Sequence, residues 1–116
     1  PYYLPHPNTY SGYVHYLTRY VRELHVLSLE EAIRKATSLP ARRMGLTDRG
    51  VIRPGAYADL TIFDLQRLQE LGTYLEPRRY PKGVNYVIVN GEIVVKNGKH
   101  TGVRAGRVIP RADRRK

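Results

Sequence analysis

Four histidines are the side chains best suited to metal binding or acid–base catalysis: His6, His15, His25 and His100. No two of them stand at a His-x-His or His-Glu-x-x-His spacing, which places two imidazoles on one metal ion, and the carboxylates are equally scattered. We therefore predict no metal site built wholly within the chain. His6 is still of interest, because it lies in a proline-rich loop and such loops often contact ligands. The competing interpretation of His6 is an ordinary surface histidine.

The sequence also lacks the motifs of nucleophilic catalysis and of nucleotide binding. Ser11, Ser28 and Ser38 stand outside any Gly-x-Ser-x-Gly elbow, and the sequence has no cysteine. The ten glycines are spread as turn formers and include no phosphate-binding loop. These absences leave no recognisable nucleophile or nucleotide site.

The strong positive charge raises the question of nucleic-acid binding. The net charge is +10, and the last thirteen residues contain Arg104, Arg107, Arg111, Arg114, Arg115 and Lys116. Such a tail can bind phosphates without sequence specificity. However, the tyrosines do not interleave with it, as a base-stacking platform would require. We therefore do not expect a nucleic-acid partner, although a small basic nucleic-acid-binding module remains the alternative outside the enzymes.

Length and composition bound the remaining possibilities. A chain of 116 residues, 41% hydrophobic and 26% charged, fits one globular domain or a piece of a larger one. No apolar run approaches the roughly 20 residues of a membrane span, and the first residues lack a secretory signal. We therefore expect no membrane association and a cytoplasmic location. The first residue is Pro1 instead of methionine, which predicts that the sequence is a segment.

The first 46 residues show helical patterns. Apolar residues recur at spacings of three and four from Thr9 onward, which predicts a helix that buries Tyr13, Tyr16, Leu17, Tyr20, Val21 and Leu24. Ser28 followed by Glu31 predicts a second helix that starts with a capping box. Pro40 predicts the start of a third, which Gly45 would end.

The second half reads as short strands. We predict strands over 58–64, 84–89 and 92–96, the last two joined by an Asn90-Gly91 hairpin turn. A long connection at 65–82 could hold one helical turn at Leu65, Leu68 and Leu71. The fold class is therefore α+β. The continuous apolar run from Val87 to Val89 requires cover on both faces, and the chain has little left to supply it. We therefore expect partner strands from outside the chain.

One stretch resembles a known superfamily. Residues 48–64, Asp-Arg-Gly-Val-Ile-Arg-Pro-Gly-Ala-Tyr-Ala-Asp-Leu-Thr-Ile-Phe-Asp, resemble the segment where amidohydrolases leave the catalytic barrel for a small β-sandwich. Residues 80–91 and 100–109, and the loop and helix at 6–23, are similar to stretches of the N-acyl-D-amino-acid deacylases. The resemblance implies barrel helices at 1–46 and sandwich strands at 47–110. It does not extend to the basic tail at 111–116, which we expect to be disordered because of its charge.

The resemblance also implies a chemistry that this chain does not contain. The family's members are zinc-dependent hydrolases in which a metal-activated water attacks the amide of an N-acyl amino acid while an Asp moves the proton. The ligands and that Asp precede the segment that Pro1 begins. We therefore expect no catalytic residue and no metal ligand here, a chain inactive by itself, and the remainder of the enzyme as its partner.

The resemblance suggests two candidate substrate-binding residues in this chain, His6 and Asn8. The family commonly has an arginine where Asn8 stands, a side chain able to grip a carboxylate with two hydrogen bonds. The difference affects substrate identity more than family membership. The alternative within the enzymes is a relative that acts on a cyclic amide, similar to hydantoinases or dihydroorotases.

Overall fold

Helices occupy the first part of the chain and an antiparallel sheet the second, in a computed structural model that describes residues 3–110. The helical elements are α1 (Asn8–His15), a π-helical segment that continues it (Tyr16–Glu23), α2 (Leu29–Ala36) and α3 (Ser38–Arg43). The strands are β1 (Leu60–Phe63), β2 (Val84–Val89), β3 (Glu92–Lys96) and β4 (Lys99–His100). The α+β composition predicted from the sequence is confirmed. The tail expected at 111–116 lies outside the described residues.

The buried face of the first helix agrees only in part with the predicted one, since Leu17 and Val21 are buried as expected. Its buried side chains are Ser11, Val14, Leu17, Thr18 and Val21. Tyr13 is 70% exposed, and Tyr20 and Leu24 are also exposed. The helix widens at Tyr16, so that the Leu24 N–H reaches the carbonyl of Arg19 five residues back at 3.0 Å. Packing partners from distant parts of the chain, chiefly Ala32 and Leu68, decide which face is buried.

The second helix starts as predicted, but only half of its capping box forms. The Ser28 hydroxyl accepts the Glu31 N–H at 3.2 Å. The Glu31 carboxylate instead binds the Arg34 guanidinium through two hydrogen bonds of 2.7 and 2.8 Å. That ion pair holds the pKa of Glu31 below its ordinary value.

Helix α3 begins at Ser38, two residues before the predicted start. Pro40 is thus its third residue, which a helix tolerates because the first four N–H groups have no intrahelical partner. Gly45 follows the helix with a φ of +79°, as expected of a helix end.

The four strands form one sheet in the order β1-β2-β3-β4, with every neighbouring pair antiparallel. Leu60 pairs with Ile88, and Val87 pairs with Val95. Asn90 and Gly91 both have positive φ, as a type I′ turn requires, which confirms the hairpin. His100 pairs with Val95 in the short fourth strand.

The connection between β1 and β2 joins the sheet to the helices. Its predicted helical turn forms around Leu68, whose N–H donates to the Asp64 carbonyl at 2.9 Å. Leu68 is 2% exposed and completes the core of the helices. The Arg22 guanidinium donates to the carbonyls of Leu65, Gln66 and Leu68 at 2.9, 3.3 and 2.8 Å.

The sheet is only half covered. Within residues 3–110 no strand residue is buried, including Val87, Ile88 and Val89. The side chains that make the core lie in the helices and at Leu68, with Phe63 and Val84 at its margin. None of the helices within this range is long and apolar enough to cross a lipid bilayer.

Replacing Arg22 with alanine should loosen the connection, because three backbone carbonyls lose their charged donor. We expect the amides of Leu68 and Gln69 to exchange with solvent about 10- to 100-fold faster, as measured by hydrogen–deuterium exchange. Arg19→Ala is the matched control, since Arg19 makes only an exposed ion pair with Glu23. It should change exchange by about twofold or less. Equal effects of the two variants would contradict the anchoring role of Arg22.

Candidate functional site

His6 is held between the start of α1 and a turn from the connection. Its Nδ1 lies 3.1 Å from the Asn8 amide nitrogen and accepts that N–H. Its Nε2 lies 3.3 Å from the Tyr74 hydroxyl, and the two rings meet edge to face with centroids 5.3 Å apart. A ring nitrogen that accepts a hydrogen bond carries no proton, so the neutral imidazole has its proton on Nε2. The Nε2–H therefore donates to the Tyr74 oxygen.

Asn8, the other predicted substrate-binding residue, opens α1 and has different surroundings. Its carboxamide lies against Gly12, where an added Cβ would be only 2.6 Å from Asn8 Oδ1. The side chain borders an open groove of about 500 Å³ that is also lined by Gly12, Tyr13, Tyr16, Lys35 and Ala36. Neither His6 nor Tyr74 lines this groove. Substrate binding by His6 and Asn8 stays a prediction.

Ser11, Glu70 and His15 form a cluster at α1 in which Ser11 is buried and His15 is exposed. Ser11 donates to one carboxylate oxygen of Glu70 at 2.8 Å, and His15 Nδ1 lies 2.9 Å from the other. Although these residue types occur in hydrolytic triads, a nucleophilic serine must give its proton to the histidine. Here the carboxylate stands between the two. The cluster therefore anchors the connection to α1 and does not activate a nucleophile.

Metal binding can be tested directly on the geometry. Within residues 3–110, no three histidine, aspartate or glutamate side chains come together as a metal site requires. The described residues therefore do not fit a zinc ion of their own.

Residues 48–64 are fixed by a polar network around Arg49. Its guanidinium pairs with the Asp59 carboxylate, donates to Asn90 Oδ1 at 2.7 Å and stacks 3.9 Å from the centre of the Tyr57 ring. The Asn90 N–H donates to Asp59 at 2.8 Å, and the Asn90 amide group donates to the Ala105 carbonyl at 2.7 Å. The network thus ties this segment to the β2–β3 turn and to the last described residues.

Asp59 is the ionisable group that this network perturbs. Burial alone would raise its pKa, but the Asn90 N–H and the Arg49 guanidinium favour the ionised form more strongly. The pKa of Asp59 consequently lies below its ordinary value of 3.8.

The helices and sheet, together with the matching residues, define the class of protein. Residues 3–95 match the amidohydrolase family. The chain therefore belongs to this family, which confirms the assignment from residues 48–64.

Several deacylases match nearly the whole chain. The chain is 39% identical over 107 residues to an N-acyl-D-glutamate deacylase and 37% identical over 107 residues to a D-aminoacylase, both of Alcaligenes xylosoxydans xylosoxydans. Each match covers 92% of this chain and 22% of the relative. An N-acyl-D-glutamate deacylase from Bordetella bronchiseptica, solved with zinc and a phosphonate inhibitor that mimics the reaction's tetrahedral intermediate, superposes with a TM-score of 0.84 at 40% identity. That match covers 93% of this chain and 22% of that one.

Enzymes of cyclic amides match less well. A dihydroorotase of Lactobacillus gasseri is 33% identical over 94 residues, covering 70% of this chain and 21% of the relative. The deacylase branch is thus favoured over the cyclic-amide alternative. The chain spans only about a fifth of the length of any of these relatives.

Replacing Asp59 with asparagine tests the network through its pH dependence. Because the folded pKa lies below 3.8, the ionised carboxylate stabilises the folded state above that pH. This contribution is lost as the pH falls through the folded pKa. We expect Asp59→Asn to cost about 2 kcal/mol at pH 7. In thermal unfolding, the difference in Tm from the wild type should shrink as the pH falls below 3.8.

Glu30→Gln removes the same charge from an exposed position on α2 and serves as the control. It should cost about 0.5 kcal/mol or less at pH 7. A difference between wild type and Asp59→Asn that stays constant down to the acid limit would show that the carboxylate charge does not stabilise the network.

Proposed function

We propose that the chain is the C-terminal part of a zinc-dependent deacylase that hydrolyses the amide bond of N-acyl-D-amino acids. The products would be a free D-amino acid and a carboxylate. The observation that carries this proposal is the similarity to deacylases across nine-tenths of the chain, in sequence and in backbone fold. Membership of the amidohydrolase family also favours an enzyme over a nucleic-acid-binding module.

In this proposal the two halves of the chain complete two parts of the enzyme. Residues 1–46 supply the last loop and helices of a (β/α)8 barrel, and residues 47–110 supply strands of the β-sandwich beside it. The half-covered sheet supports this division, because apolar strands such as β2 are stable when both faces are packed. The exposed Tyr13 and Leu24 on the first helix likewise suit a surface that contacts the rest of a barrel.

The catalytic centre would lie in the remainder of the enzyme. The described residues bring no three metal ligands together, so a complete zinc site is not assigned to them. The proton-transferring aspartate is assigned to the remainder by the family resemblance. The role of this chain would be to support that centre and to place the loop around His6 near the substrate. A cytoplasmic location remains a prediction.

The complete gene product that contains this chain provides the test. With zinc present, we expect it to release free amino acid from at least one of N-acetyl-D-glutamate, N-acetyl-D-aspartate and N-acetyl-D-leucine, as measured by chromatography. The L-enantiomers should react at least about tenfold more slowly, because a mismatched chiral centre costs transition-state contacts. The 116-residue chain alone should release none.

The same assay separates the alternatives. Hydrolysis of dihydroorotate or a hydantoin, with no cleavage of the linear N-acetyl compounds, would replace the deacylase with a cyclic-amide hydrolase. Amide hydrolysis by the 116-residue chain alone would refute the proposal that the catalytic centre lies in the remainder of the enzyme. Absence of any amide cleavage by the zinc-loaded product would remove the proposed function.

A further inference from the structure

Tyr74 is an exposed side chain that lies on a firmly held turn. Residues 72–77 form this Tyr74 turn, in which the Thr73 N–H donates to the Glu76 carbonyl at 3.2 Å and the Glu76 N–H donates to the Thr73 hydroxyl at 3.0 Å. Pro77 at its end is fully buried. Tyr74 itself is 74% exposed.

The base of the turn packs against the loop that carries His6. An added Cβ at Gly72 would lie 3.7 Å from the Cβ of Pro7 and 3.2 Å from the Pro77 carbonyl oxygen. Gly72 thus brings the Tyr74 turn close to the residue that follows His6. This contact places the Tyr74 phenol beside the His6 imidazole, although the two residues are 68 positions apart in sequence.

The hydrogen bonds determine what the phenol can do. Since His6 Nδ1 accepts the Asn8 N–H, its Nε2–H must donate to the Tyr74 oxygen. That bond occupies the acceptor side of the hydroxyl and leaves its proton available. A hydroxyl in this state binds a hydrogen-bond acceptor, and it binds an anionic oxygen most strongly.

The charge on the Tyr74 turn does not exclude an anion. Glu76, the carboxylate of the Tyr74 turn, is paired with Arg79 at 3.5 Å. Asn8 does not compete for such a ligand, because its carboxamide lies along α1 against Gly12.

We propose that the Tyr74 hydroxyl, oriented by His6, donates a hydrogen bond to the α-carboxylate of the N-acyl amino acid. This assignment rests on the proposed function, which supplies a substrate with that group. Tyr74 is then a specificity-determining residue, and His6 is a positioning residue that acts through it. The arrangement also accounts for carboxylate binding in a chain that has Asn8 where its family commonly has an arginine.

Tyr74→Phe in the complete gene product tests the assignment, since it removes only the hydroxyl of an exposed ring. For an N-acyl-D-amino acid that the wild type hydrolyses, we expect KM to rise about 10- to 100-fold. The value of kcat should change by about twofold or less, because the contact is made equally in ground and transition states. For the corresponding α-carboxamide, KM should be the same in variant and wild type.

Tyr80→Phe is the matched control. Tyr80 is also exposed, lies in the same connection and packs its ring edge to face with Tyr10 at 5.7 Å. It should leave KM for both compounds unchanged. An unchanged KM in Tyr74→Phe, or an equal rise for the acid and the amide, would overturn the assignment.

A binding measurement keeps this inference separate from the proposed function. If the wild type hydrolyses no N-acyl-D-amino acid, the proposed function fails, and ¹⁵N NMR of the His6 ring decides the role of Tyr74. N-acetyl-D-glutamate should then shift the His6 Nε2 resonance in the wild type and in Tyr80→Phe, but not in Tyr74→Phe. The same shift in all three proteins, or in none, would refute carboxylate binding by Tyr74.

Discussion

The docking of the 64–83 connection onto the helices is the contact on which the rest of the structure depends. Leu68 belongs to the same core as Val14 and Val21, and Arg22 supplies three hydrogen bonds to the backbone around Leu68. A loop of this length would otherwise be free to lie elsewhere, because ordering each residue costs about 1 to 2 kcal/mol of conformational entropy. One apolar side chain and one cation together offset part of that cost and fix the position of the connection.

This docking also creates the candidate site. Once Leu68 and Arg22 fix the connection, Glu70 reaches Ser11 and His15, and the turn that follows places Tyr74 against His6. The Ser11–Glu70–His15 cluster is thus a second attachment point on the way to the site. A cluster that could be mistaken for a hydrolytic triad has a structural role, because its carboxylate separates the hydroxyl from the imidazole. The contact between His6 and Tyr74 therefore depends on contacts that the connection makes further along the helices.

How much the sequence could predict depends on the distance over which each signal acts. Ser28 capped its helix, and Asn90-Gly91 formed its turn, because both signals act within four residues. On the first helix, Leu17 and Val21 are buried as predicted, but Tyr13 and Tyr20 are exposed. The buried face is chosen by Leu68, whose position along the chain gives no hint of this contact. The partners of His6 and of Ser11 were missed for the same reason. They lie 68 and 59 residues away, beyond the reach of any periodicity.

Residues 48–64, in contrast, were recognised from the sequence alone. Their resemblance to amidohydrolases identified the family, and the structure supplies a physical reason for part of that motif. Arg49 and Asp59 form an ion pair, and Asn90 makes a hydrogen bond to each of them. The motif is therefore tied to a hairpin turn 31 residues beyond Asp59. The network fixes one edge of a sheet whose strands are nowhere buried by the described residues. Polar contacts therefore order this sheet, but apolar side chains cover it incompletely. A second packed layer would complete its cover, as the proposed β-sandwich would provide.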